Sequence, residues 1–137
     1  MSYLRDSVSP DKMLRALTGF VAVLGALFAL SPFFLSFSDN VPATANALLC
    51  GMALVILAAM NKHGLHPWAE RSTLGLGAWI TLSPWLFQSD IAPWVPGDAT
   101  AGFALEVAVH IVLGTAVFVV GAFVIVKSSP WRLRGNA

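Results

Sequence analysis

Four stretches without a single Lys, Arg, Asp or Glu constrain this chain more than any other feature: residues 16–38, 40–61, 72–89 and 107–126. They are 23, 22, 18 and 20 residues long, and a bilayer core about 30 Å thick takes about 20 helical residues to cross. One such run could be a buried helix of a soluble domain. Four of them in 137 residues, with charged residues at only 11%, leave too little polar sequence to cover a globule. Lipid offers no partner to a bare peptide group, so each run is predicted as a spanning α-helix. The expected fold class is an all-α membrane protein of four transmembrane helices.

The first and third runs are copies. Residues 24–35 (LGALFALSPFFL) align with 76–87 (LGAWITLSPWLF) at an offset of 52, and six of the twelve pairs are identical. A fixed offset in so short a chain means duplication. The chain thus divides into two tandem hairpins, 13–61 (helices about 13–37 and 43–61) and 72–127 (helices about 72–88 and 105–127). Around them lie an N-terminal segment 1–12, a connecting loop 62–71 and a basic tail 128–137. Ser9-Pro10-Asp11 has the features of a helix start: a capping hydroxyl, a proline at the first position and an acid at the positive dipole end. The first run exceeds the about 7–15 residues of a signal h-region and is expected to be retained.

All eight basic residues fall on one side of this layout. Arg5, Lys12 and Arg15 precede the first run, Lys62 and Arg71 join the hairpins, and Lys127, Arg132 and Arg134 follow the last. The other two loops carry only Asp39, Asp90 and Asp98. The positive-inside rule then puts both termini in the cytoplasm, at a bacterial inner membrane. Each half crosses and returns, so the halves share one orientation and are related by rotation about the membrane normal, unlike the inverted repeats of many transporters. A net charge of +1 points to no nucleic-acid partner. The single cysteine, Cys50, excludes a disulfide within the chain.

Pro32 and Pro84 each free a carbonyl four residues back, on Phe28 and Ile80, and the adjacent Ser31 and Ser83 can bond to it. The Ser-Pro pair therefore reads as a tolerated kink placed twice. Small residues at helical spacing, Ala22-Gly25-Ala26-Ala29 and Ala43-Ala47-Gly51, allow close helix approach. Gly51, Gly114 and Gly121 are expected as contacts to a partner. So are Trp94 and Pro96 in the outer loop 89–104, which is 11 residues longer than its counterpart in the first half. Trp85 and Trp94 suit the outer aromatic belt, Trp68 and Trp131 the inner one.

Leu76-Gly77-Ala78-Trp79 followed by Ser83-Pro84-Trp85 resembles the pattern of the SPW repeat family of small prokaryotic integral membrane proteins. The first copy departs from it, with Leu27 and Phe33 in place of the two tryptophans. The resemblance covers about residues 14–123 and implies a fold and a membrane location, with no catalytic residue carried over. Ser129-Pro130-Trp131 repeats the tripeptide without an apolar run after it.

Few residues offer chemistry. His110 and Glu106 stand four apart on one face of the fourth helix, and an ionisable residue at membrane depth is a functional hypothesis. His110 could be an axial ligand to a haem or pigment, with Glu106 orienting it; no other span supplies a second histidine. The preferred reading is a hydrogen-bonded His–Glu pair close to the interface, packing against the outer loop or another subunit. Trp79 sits near mid-membrane, where its indole N–H needs an acceptor, and a contact between the repeats is expected. His63, His66 and Glu70 make a poor metal cluster, because Gly64 and Pro67 interrupt the helix that would align them. No phosphate loop or nucleophile motif occurs. The function expected is that of a non-catalytic accessory or scaffolding subunit of a larger membrane complex, with no cofactor, its partners lipid, other membrane subunits or its own copies. The alternatives are a pigment- or haem-associated subunit of a photosynthetic or respiratory complex and a small oligomeric channel or transporter.

Overall fold

The computed structural model describes residues 10–35, 41–63, 66–87 and 100–128. These form four helices: α1 (Pro10–Phe34), α2 (Val41–His63), α3 (Pro67–Phe87) and α4 (Thr100–Ser128). Trp94, Pro96 and the tail beyond Ser128 lie outside the described residues.

α1, α3 and α4 all start earlier than the apolar runs suggest. α3 begins at Pro67, five residues before the uncharged stretch, because proline costs nothing at a first helical position. The amides of Ala69 and Glu70 donate to the His66 carbonyl at 2.9 and 3.1 Å, and the His66 amide donates to Asn61 Oδ1 at 3.1 Å. The expected ten-residue connection shrinks to three, 64–66. α4 likewise starts at Thr100, so the end of the expected outer loop is helical. α1 runs from Pro10 and closes with Leu35 N–H on Ser31 O at 3.0 Å, three residues short of the expected end.

Three helical segments are long and apolar enough to cross a membrane unaided: Lys12–Phe34, Val41–His63 and Leu105–Ser128. α3 is not among them. Its first turns carry Glu70 and Arg71, and Ser72, Thr73, Gly75, Gly77, Thr81 and Ser83 dilute its apolar content.

The helices form a closed ring in chain order. α1 packs on α2 and α3 on α4 extensively; α2–α3 and α4–α1 contacts are thinner, and among the described residues the backbones of the diagonal pairs do not approach one another. This is the arrangement that two hairpins related by rotation produce. At the centre stand Phe28, Leu54, Ile80 and Val117, one from each helix and all fully buried. Phe28 and Ile80 are equivalent at the offset of 52, and Leu54 and Val117 at 63. The repeat axis is plugged by apolar side chains rather than open.

Reciprocal glycines hold each hairpin together. A Cβ on Gly51 would lie 2.5 Å from Gly25 O and 2.7 Å from Ala29 N. In the second hairpin a Cβ on Gly114 would lie 2.6 Å from Thr81 N. A Cβ on Gly121 would lie 3.2 Å from the Leu74 backbone, a looser contact. The expectation that Gly51, Gly114 and Gly121 contact a partner is thus corrected: each faces the other helix of its own hairpin, where its missing side chain allows backbone to meet backbone.

Candidate functional site

Buried polar side chains gather in two layers, one on each side of the apolar plug. The layer nearer the loop ends of α1 and α3 is built around the two prolines, which are fully buried. Ser31 Oγ donates to Phe28 O at 2.7 Å, and Ser83 Oγ to Ile80 O at 2.9 Å. Each serine therefore satisfies the carbonyl that its neighbouring proline releases.

In the second repeat this bond is extended across the interface between the hairpins. Asn46 of α2 donates from Nδ2 to Ser83 Oγ at 3.1 Å, and its Oδ1 accepts Trp79 Nε1 at 2.9 Å. Cys50 Sγ also lies 3.4 Å from that oxygen. The indole can only donate, which fixes the amide's orientation. Trp79 is 44% exposed, so its ring flanks the bundle while its N–H points inward. The network Trp79–Asn46–Ser83–Ile80 O ties α2 to α3 and hence one repeat to the other.

His110 occupies the same layer on α4. It is 1% exposed, its Nδ1 lies 2.8 Å from the Glu106 backbone carbonyl, and its ring meets Phe28 edge-on at 4.9 Å between centroids. Glu106 is buried as well. This hydrogen bond runs to the glutamate's backbone carbonyl. A macrocycle needs open approach to a ring nitrogen, and a ring this enclosed does not fit that role.

The second layer lies at the end carrying the termini. Glu70 Oε2 accepts Ser128 Oγ at 2.7 Å, joining the start of α3 to the end of α4. Thr18, Asn61, Glu70 and Thr73 are all buried here around a cavity of about 20 Å³, room for about one water molecule. Its walls pair across the repeats: Thr18 with Glu70, Val21 with Thr73, Ala58 with Gly121 and Asn61 with Val124. The cavity therefore sits on the repeat axis. His63 and His66 are exposed while Glu70 turns inward, so those three do not converge. Among the described residues no group of His, Cys, Asp and Glu is placed to hold a metal.

The duplicated Ser-Pro kinks and the Trp79 contact rest on the motif quoted from the sequence. The SPW repeat domain matches the chain over residues 15–124. The chain belongs to the SPW repeat family. The match agrees to within one residue at each end with the extent expected from the motif, and with the apolar helices it makes this a multi-pass membrane protein. No curated protein and no solved structure matches it significantly.

The departure of the first SPW copy has a structural consequence. Leu27 stands where the second copy has Trp79, and Val109 where the first hairpin has Asn46. Instead of a hydrogen-bonded indole, the α1–α4 face has an apolar groove of about 500 Å³ that both residues line. The two interfaces between SPW repeats are thus equivalent in position and different in chemistry.

Asn46, the centre of the Trp79–Ser83 network, was not singled out from the sequence. Its signal was indirect: Trp79 needed an acceptor, and an asparagine in the preceding span was a candidate. Pairing them requires the register of α2 against α3, which no motif supplies.

Proposed function

We propose that this SPW repeat protein is a non-catalytic accessory or scaffolding subunit of a larger assembly in the bacterial inner membrane, with α3 as a fourth span and both termini cytoplasmic. The observation that carries this is how its interior polar groups are used. Asn46, Ser83, Trp79, Ser31, Glu70 and Ser128 bond helix to helix or mend a broken helix. A rigid, closed ring results, whose outside presents large apolar side chains such as Phe33, Trp79, Trp85 and Phe118 to lipid or to other subunits. The apolar plug argues against conduction along the axis of one chain, and the enclosure of His110 argues against a pigment on that residue.

Tagged protein extracted in mild detergent is expected to come out with other membrane subunits in fixed proportion. Recovery as a free monomer, across detergents and from membranes at native expression, would count against the proposal. The orientation has its own test: a reporter active only in the cytoplasm, fused after Ala137, should be active, and a periplasmic reporter at the same place silent. The reverse pattern would overturn the assignment of sides drawn from the eight basic residues.

A further inference from the structure

We propose that the α1–α2 face holds one anionic glycerophospholipid in the leaflet on the side of the termini. This rests on membership of a membrane family and not on the accessory role. The outer surface of the first hairpin contains a cavity of about 450 Å³, within the about 300–1,000 Å³ of ordinary ligand sites. Arg15 from α1 and Lys62 from α2 stand at its mouth. Both are exposed.

Below the two cations the wall turns apolar and shallow, formed by Gly19, Ala22, Val55 and Ala59. The one hydroxyl there, on Thr18, is already spent on the Leu14 carbonyl at 3.0 Å. A guanidinium and an ammonium above a smooth apolar floor match a phosphate joined to an acyl chain. A free phosphate would use the mouth and leave the floor idle. A zwitterionic headgroup would bring its own cation against Arg15 and Lys62, so net negative charge is selected.

The second repeat provides an internal comparison. Its equivalents of Gly19, Ala22 and Val55 are Arg71, Leu74 and Phe118, and those of Arg15 and Lys62 are Pro67 and Ile125. There the positions of Arg15 and Lys62 carry no charge, and where the first hairpin leaves Gly19 and Ala22 small the second has the long side chains of Arg71 and Leu74. Only the first hairpin thus places a cation from each of its two helices above a floor of small residues.

Gly19 makes the site testable without disturbing the fold, since a Cβ there meets nothing within 4 Å. Native mass spectrometry of the full chain in mild detergent, titrated with phosphatidylglycerol or with phosphatidylcholine of the same acyl chains, reads occupancy directly. Phosphatidylglycerol should bind at least tenfold more tightly, as one adduct. Arg15→Gln and Lys62→Gln should each weaken it about fivefold, the worth of one basic residue at an anionic lipid surface, and leave phosphatidylcholine unchanged. Gly19→Leu, which covers the apolar floor, should weaken both lipids without lowering the melting temperature. Equal binding of the two lipids, a preference that survives the Arg15→Gln/Lys62→Gln double variant, or displacement of the lipid by inorganic phosphate would each overturn the proposal.

Discussion

Gly77→Ala is expected to destabilise the protein by about 2 kcal/mol or more, whereas Gly75→Ala, two positions earlier in the same helix, leaves it unchanged or slightly stabler. A Cβ on Gly77 would lie 2.5 Å from the backbone nitrogen of Phe118 and 2.8 Å from its Cα. Overpacking costs about 1–3 kcal/mol when side chains can adjust. Here the obstacle is backbone, so no rotamer change relieves it and α4 itself has to move away. That movement would loosen the contact of Gly114 with Thr81 nearby. At Gly75 a Cβ meets nothing within 4 Å, and alanine brings a gain in helix propensity of up to about 1 kcal/mol. The sign of the effect should therefore reverse within half a helical turn. Unfolding in mixed detergent micelles, followed by helix signal, measures both variants. Equal effects at the two positions would mean that α3 and α4 are not in backbone contact at Gly77.

That contrast also shows where the sequence is informative. The stretch Leu74-Gly75-Leu76-Gly77 offers two glycines of equal standing; only the copy at offset 52 distinguishes Gly77, which aligns with Gly25, whereas Gly75 aligns with Val23. Duplication made the intimate contacts legible, because a packing requirement within a hairpin has to be met twice. The Ser-Pro kinks were legible for the same reason. Contacts between hairpins have no such duplicate here: Asn46 aligns with Val109, and Trp79 with Leu27. The register of α2 against α3 decides them, and it is set by packing spread over the whole ring. Helix ends were misplaced where charge was taken as the boundary. Glu70 and Arg71 belong to α3, Glu70 because Ser128 satisfies its carboxylate inside the bundle. Gly51, Gly114 and Gly121 could be read as partner contacts because a small-residue stripe looks the same whether it meets its own hairpin or another chain.

The unequal interfaces lead to the second large effect. Asn46→Leu should cost about 2 kcal/mol, and that figure comes from weighing opposed estimates. Three donors or acceptors meet the amide, on Trp79, Ser83 and Cys50, and leaving a buried polar group unpaired costs about 1–3 kcal/mol. Interhelical hydrogen bonds measured in a membrane average only about 0.6 kcal/mol, with a maximum near 1.7. The simple sum is too large for this site. Ser83 keeps its bond to the Ile80 carbonyl at 2.9 Å, so its hydroxyl is not stranded. The thiol is a weak donor and loses little. What is lost is one good acceptor for the Trp79 indole, together with the tie between α2 and α3. A double-mutant cycle isolates the pair: Asn46→Leu and Trp79→Phe should couple by about 1 kcal/mol, above the about 0.3–0.5 kcal/mol expected of independent sites. The cycle on the equivalent positions, Val109→Ala with Leu27→Ala, should show only weak apolar coupling, since no hydrogen bond joins them. Were the two cycles to give the same value, the difference between the interfaces would be one of shape alone, and the amide would not be what fastens the repeats to each other.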